Sequence, residues 1–334
     1  MKIIRDISLK SFNTFGIDVK AACMAEIENA DDLLNLTDAL LPEPFFCIGQ
    51  GSNLLFTSDF KGTLIRFVYA GWKVVSQNDN EVIIRANAGC IWDELVEQTL
   101  IQGYFGLENL SLIPGTVGST PVQNIGAYGA EASQFIVSVH VFDREAVKFF
   151  DIENKDCDFG YRHSIFKSKP SWMVVSVDYR LKTVPSTSTH YKAVEDYLQK
   201  NNLDGSDPMV VRDAVIAIRE SKLPDYKLIG NAGSFFRNPV VEKKLFEQLH
   251  KKFPEMPFYT EADERYKIPA AWLIEKSGWK GFQGFNAGVH DKQPLILINL
   301  GGASGQEIKM LAEEIQTSIK NNFGIQLHPE VIYL

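Results

Sequence analysis

The chain has 334 residues, 45% hydrophobic and 23% charged, the balance of a globular protein too long for one compact core; two or three structural units are expected. A formal charge of −8 argues against a nucleic-acid partner, which needs a basic field, and no apolar run approaches the roughly 20 residues of a membrane helix. No signal-peptide core follows Met1, so a cytoplasmic location and no membrane partner are expected. Cys23, Cys47, Cys90 and Cys157 form no Cys-x-x-Cys pair and read as buried free thiols, and the histidines suggest no catalytic metal.

In chain order, the apolar run 44–48 predicts a strand that feeds the turn Gly49-Gln50-Gly51-Ser52-Asn53-Leu54-Leu55. Leu54 stands where the third glycine of a dinucleotide fingerprint belongs, no acidic residue follows a second strand convincingly, and no Gly-Lys-Ser/Thr occurs. A Rossmann domain and a P-loop are both disfavoured. Residues 81–88, rich in β-branched side chains, predict a strand, and Trp92, Leu95, Val96 and Leu100 recur at helical spacing as far as Gly103.

Residues 114–129, Pro-Gly-Thr-Val-Gly-Ser-Thr-Pro-Val-Gln-Asn-Ile-Gly-Ala-Tyr-Gly, are too rich in glycine and proline for an ordinary helix or central strand. A shaped loop of this kind exposes backbone N–H groups at close range, with Ser119, Thr120, Gln123 and Asn124 as further hydrogen-bonding groups. It suits a dinucleotide; a long surface loop is the plain alternative.

Beyond it, residues 173–181 alternate apolar and polar, the period of a half-buried strand, and antiparallel sheet is expected. Residues 183–190 and 201–208 read as joints around a short helix at 191–199. After Pro224 helices and strands alternate, through segments at 240–252 and 270–277 and an apolar run at 295–300. A final helix carries Ile308, Leu311, Ala312, Ile315, Ile319 and Phe323 on one face and ends at Gly324. The order is that of an α+β module followed by a separate α/β unit.

Together with Ser11-Phe12-Asn13-Thr14-Phe15-Gly16 near the start and Leu327-His328-Pro329-Glu330-Val331 at the end, these segments resemble the UDP-N-acetylenolpyruvoylglucosamine reductase family over essentially the whole chain. The resemblance implies a vanillyl-alcohol-oxidase/PCMH-type FAD-binding domain in two subdomains, 1–70 (completed by 324–334) and 71–215, plus a C-terminal α/β substrate-binding domain at 216–323. It implies that FAD is held by Gly49, Gly51, Ser52, Asn53, Pro114, Gly115, Gly118, Ser119, Gln123, Asn124, Gly126, Tyr128 and Gly129. Attachment is expected to be noncovalent, because no histidine or cysteine adjoins the first turn in the manner of covalent flavoproteins.

The activity implied is reduction of UDP-N-acetylglucosamine enolpyruvate to UDP-N-acetylmuramate by NADPH through FAD, in peptidoglycan precursor synthesis. NADPH and the sugar nucleotide are expected to use one cleft in turn, and the protein to be a monomer. By the same resemblance Ser234, in Gly233-Ser234-Phe235-Phe236-Arg237, is the proton donor. Arg162, in Gly160-Tyr161-Arg162-His163-Ser164, meets the enolpyruvyl carboxylate, and Glu330 works with it.

Lys222, Asn238 and Gln293 are implied to contact the UDP-sugar, with Lys222 as a point charge for the diphosphate. Tyr191 falls where type I members carry a loop tyrosine over the diphosphate, although Thr189-His190-Tyr191-Lys192 departs from their usual Thr-Tyr-Gly-Asp. Read without the resemblance, Ser234 is a turn or cap residue, Arg162 a surface ion pair and Glu330 a solvated side chain. Two rival functions remain open on the sequence: another PCMH-type FAD oxidase acting on an alcohol or polyol, and a noncatalytic sugar-nucleotide-binding protein.

Overall fold

The computed structural model describes residues 1–36, 41–185 and 191–334. The expected joint at 183–190 and His190 therefore lie partly or wholly outside the described residues. The chain divides into two compact units that interleave in sequence: Met1–Ile7, Ala21–Gln50 and Lys61–Ser221 make the first, and Ser8–Lys20, Gly51–Phe60 and Lys222–Leu334 the second. Among the described residues no helix is long and apolar enough to cross a membrane.

The first unit is built around an antiparallel five-stranded sheet in the order Lys148–Glu153, Ile136–Asp143, Trp172–Lys182, Glu81–Asn87, Trp72–Gln77. The helix Trp92–Ile101 buries Trp92, Leu95, Val96 and Leu100, as its spacing predicts, in a cluster with Val177, Tyr179 and Leu181 of the central strand. Met173 and Val175 of that strand join a second cluster with Cys23, Ile27 and Ile65. The strand is not half-buried as expected, since seven consecutive residues from Met173 are buried. Its alternate polar positions, Ser176 and Asp178, are covered as well.

What buries Asp178 is a set of charged partners. Arg85 donates to both of its oxygens, at 2.7 and 2.9 Å, and His140 Nε2 lies 3.1 Å from Oδ1, while His140 Nδ1 makes a close contact with Asp151. Burial alone would raise the Asp178 carboxyl, but the hydrogen bonds of Arg85 and the close imidazole of His140 overcome this and hold it at about 2. Burial likewise works against a charged His140, yet its contacts with Asp178 and Asp151 raise it above the ordinary imidazole value.

The sign of each linkage follows. Asp178 contributes stability that is present above the unfolded carboxylate value of about 3.9 and is lost as pH falls through the folded one. His140 contributes stability that is complete below about 6.5 and is lost as pH rises through its raised folded value. Asp178→Asn is expected to cost about 2 kcal/mol near neutral pH and to flatten the acid limb of unfolding free energy against pH. Denaturant titrations across that range check this, and an unchanged acid limb would count against the assignment.

A four-stranded sheet runs Lys2–Ser8, Lys20–Ile27, Phe60–Phe67, Phe45–Cys47. Cys23, Cys90 and Cys157 are buried free thiols; Cys47, expected in the core, is exposed because it ends the edge strand. Helices Lys192–Lys200 and Pro208–Lys222 pack through Val194, Leu198, Val211, Val215 and Ile218. Arg212 anchors the second helix to Asp93 by two hydrogen bonds of 2.7 and 3.1 Å.

The core of the second unit gathers around the helix Gly305–Phe323. Ser304 and Glu307 cap it reciprocally, Gly324 ends it in a left-handed turn, and the six apolar residues read from the sequence are buried. Residues 240–252 divide into a strand and a helix: Val240–Glu242 pairs antiparallel with Arg265–Lys267, and the helix is Lys243–Lys252. The chain's last strand, Ile332–Tyr333, pairs parallel with Leu54–Leu55.

Candidate active site

In the first unit the two glycine-rich segments adjoin. Gly49 lies against Thr116, close enough that a Cβ would meet its hydroxyl at 2.9 Å, and the Gly115 N–H donates to Gln50 Oε1 at 2.8 Å. Residues 114–129 are more structured than a loop, since Thr120–Gln123 forms a helical turn with Pro121 at its start. Pro114 is exposed and Gly115 buried; the Gly118 N–H donates to Ala88 O at 3.0 Å, and Ser119 Oγ to Thr116 O at 2.6 Å.

Asn124 is fully buried in a left-handed conformation, and its side chain serves the fold. Its amide donates to Glu131 and to Gly160 O, and its oxygen accepts from Ser133 N. Gly126 O accepts from Arg162 Nη2 at 2.9 Å, which ties the arginine to the same loop. Tyr191, beside Gly129, meets the ring of Tyr128 edge-on at 5.5 Å between centroids. Burial pushes the Tyr128 hydroxyl up, against the pull of Arg219.

Arg219 escaped the sequence reading. The available signal was an arginine seven residues after Arg212 on a helix whose Val211, Val215 and Ile218 are buried. Burial lowers its guanidinium from the usual arginine value, and its Nε is buried without a hydrogen-bond partner among the described residues.

In the second unit the turn continues through Gly51, at φ +64°, and the half-buried Ser52 and Asn53. Asn53 Nδ2 donates to Glu330 O at 3.2 Å, and Asn53 O accepts from Ile332 N at 3.0 Å. Ser234 is exposed, between the buried Ala232 and Phe235. Phe235 O accepts from Glu330 N at 2.8 Å and His328 O from Arg237 N at 3.0 Å, so the residues following Ser234 run alongside the Glu330 segment. Phe235 N also donates to Leu295 O, bringing the half-buried Gln293 turn to the same strand.

Asn238 Oδ1 accepts from Ala270 N at the start of helix Ala270–Lys276. Lys222 is exposed at the end of its helix. The turn beside Gly51 suits a bound polar group: Thr14 donates its N–H to Gly51 O, and its Oγ1 is buried with no hydrogen-bond partner among the described residues. That orphaned hydroxyl and the closely approached glycine backbone fit the polar part of a flavin dinucleotide. Thr14 is a second residue overlooked as a site candidate, although it lies in the 11–16 segment that helps to carry the resemblance.

Over 98% of its length the chain is 44% identical to the UDP-N-acetylenolpyruvoylglucosamine reductase of Bacteroides fragilis, of which 98% is covered. The chain belongs to the UDP-N-acetylenolpyruvoylglucosamine reductase family. The reductase of Pseudomonas aeruginosa is 42% identical over 97% of the chain and 96% of its own length. The family's C-terminal domain matches residues 224–334, and an FAD binding domain matches residues 21–146. The crystal structure of the reductase from Thermus caldophilus superposes with a TM-score of 0.69 at 22% identity, covering 100% of this chain and 99% of that one. A 6-hydroxy-D-nicotine oxidase from Arthrobacter nicotinovorans has a TM-score of 0.51 at 12% identity, over 97% of this chain and 86% of that one. The reductase fold, an FAD-binding domain of PCMH type with a C-terminal domain of its own, is therefore the fold of this chain.

Proposed function

We propose that this protein reduces UDP-N-acetylglucosamine enolpyruvate to UDP-N-acetylmuramate with NADPH, as a cytoplasmic monomer. As a member of the reductase family it is an FAD-dependent oxidoreductase of peptidoglycan precursor synthesis. FAD, held by the two glycine-rich segments, supplies the hydride chemistry. The chain's own residues supply the charge and the proton.

A vinyl ether conjugated to a carboxylate accepts hydride at its terminal carbon only if charge developing on the carboxylate side is stabilised. Arg162 suits that role because it stays charged, its planar fork matches a carboxylate, and the loop carbonyl of Gly126 orients it at 2.9 Å. Ser234 is the proton donor to the neighbouring carbon, and Glu330 shares the charge. The single observation that carries this reading is the backbone pairing of residues 235–237 with 328–330, which supports a joint role for Ser234 and Glu330.

Tyr191, Lys222, Asn238 and Gln293 are assigned to the UDP-sugar. Lys222→Ala is expected to weaken sugar-nucleotide affinity about tenfold, the loss of one charge-assisted contact, with little change in flavin reduction. Calorimetric titration checks this, and unchanged affinity would remove Lys222 from the diphosphate clamp.

The whole reading is tested by visible absorption spectra of the purified protein, taken before and after anaerobic NADPH and again after the enolpyruvyl sugar nucleotide. A flavin band that bleaches and then returns is expected. Recovery only in air would favour the oxidase rival, and failure to bind flavin would overturn the reading.

A further inference from the structure

We propose that Lys167 is a positioning residue that sets Arg162 for the substrate carboxylate. This rests on the carboxylate-binding reading of Arg162. The segment carrying Arg162 is fastened to the glycine-rich loop at several points: Asn124 Nδ2 donates to Gly160 O at 3.0 Å, Ser164 Oγ to Val122 O at 2.8 Å, and Arg162 Nη2 to Gly126 O at 2.9 Å. Within this frame Arg162 adopts a left-handed backbone, φ +53°, which an arginine adopts only at a cost. Such a conformation persists where its surroundings hold it.

Lys167 does that directly. Its ammonium donates to the carbonyl of Arg162 itself at 2.7 Å and to Gln123 Oε1 at 2.8 Å, bridging the strained residue to the loop. Charge-assisted hydrogen bonds are stronger than neutral ones, and a second acceptor leaves the ammonium little freedom to swing away. Removing the bridge frees the peptide that follows Arg162 to relax, and the guanidinium fork then loses its aim. A fork displaced by about 1 Å can cost on the order of a hundredfold in rate.

The test compares ligands with and without the carboxylate. In Lys167→Met, flavin content and NADPH-driven flavin reduction should stay within about twofold, while anaerobic reoxidation by the enolpyruvyl sugar nucleotide slows at least tenfold. Affinity for UDP-N-acetylmuramate, which carries the carboxylate, should fall similarly, and affinity for UDP-N-acetylglucosamine, which lacks it, should not. In an Arg162→Met background the same change should add nothing further.

Equal losses for both ligands, or loss of flavin, would make Lys167 merely structural and overturn the proposal. So would an Arg162→Met variant that is impaired beside a Lys167→Met variant that is not. An Arg162→Met variant with normal reoxidation would instead defeat the reading of Arg162 itself. Should Lys167→Met fail to fold, Lys167→Gln keeps a donor without the charge or the reach; the same selective loss is expected of it, and unchanged binding of both ligands overturns the proposal.

Discussion

Ser234→Ala is expected to leave reduction of the bound flavin by NADPH within a few-fold of the parent, and to slow reoxidation by the enolpyruvyl sugar nucleotide by roughly three orders of magnitude, the scale of a lost general acid. A free serine hydroxyl is a very weak acid, so it donates only to a strongly basic carbanion and only when held in place. The chain holds this turn firmly. Asn231 is buried, its Oδ1 accepts from Gly233 N at 2.9 Å, its Nδ2 donates to Ile229 O at 2.8 Å, and its N–H donates to Thr14 O at 3.0 Å. On the far side Phe235 is pinned by Leu295 and Glu330. Alanine keeps that scaffold and removes the proton. Anaerobic stopped-flow of the two half-reactions separates the cases: equal slowing of both would show that Ser234 is structural.

Gly51→Ala is expected to abolish retention of flavin and to cost about 3 kcal/mol of stability or more. Two effects add. The residue lies at φ +64°, and a Cβ there would stand 2.1 Å from Phe12 O and 2.8 Å from Asn13 Cα. The obstacle is backbone, and it is anchored: the buried Asn13 side chain donates to Leu9 O at 2.7 Å and Ile17 O at 3.0 Å and accepts from Ile17 N at 2.9 Å. Relief must therefore come from moving the turn that carries Ser52 and Asn53. Gly16 is the control, with a similar φ of +67° and nothing among the described residues within 4 Å of a Cβ, so Gly16→Ala should cost only about 1 kcal/mol. Flavin content and denaturant unfolding of both variants check the contrast, and equal costs would show that backbone strain rather than the Phe12 contact governs.

Local pattern carried much of this protein by itself. The spacing of Trp92, Leu95 and Val96, the apolar stripe of the last helix with its terminal Gly324, and the refusal of residues 114–129 to be an ordinary helix or strand are properties of neighbouring residues. The segments around Arg162, Ser234 and Glu330 are recognisable as a reductase pattern in the sequence alone.

Other features depend on partners far along the chain. Val240–Glu242 is a strand because Arg265–Lys267 pairs with it, and Asp178 is buried because Arg85 and His140 meet it there. The Asn124 amide reads in the sequence as a cofactor group, yet its hydrogen bonds reach Glu131, Gly160 and Ser133. Lys167 and Arg219 carried no local signal strong enough to mark them. Periodicity reports which face of an element is apolar, whereas a hydrogen bond between residues tens or hundreds of positions apart exists only once folding has closed the intervening chain. The tertiary structure alone decided that residues 235–237 run beside 328–330 and that 51–60 belong with 222–334.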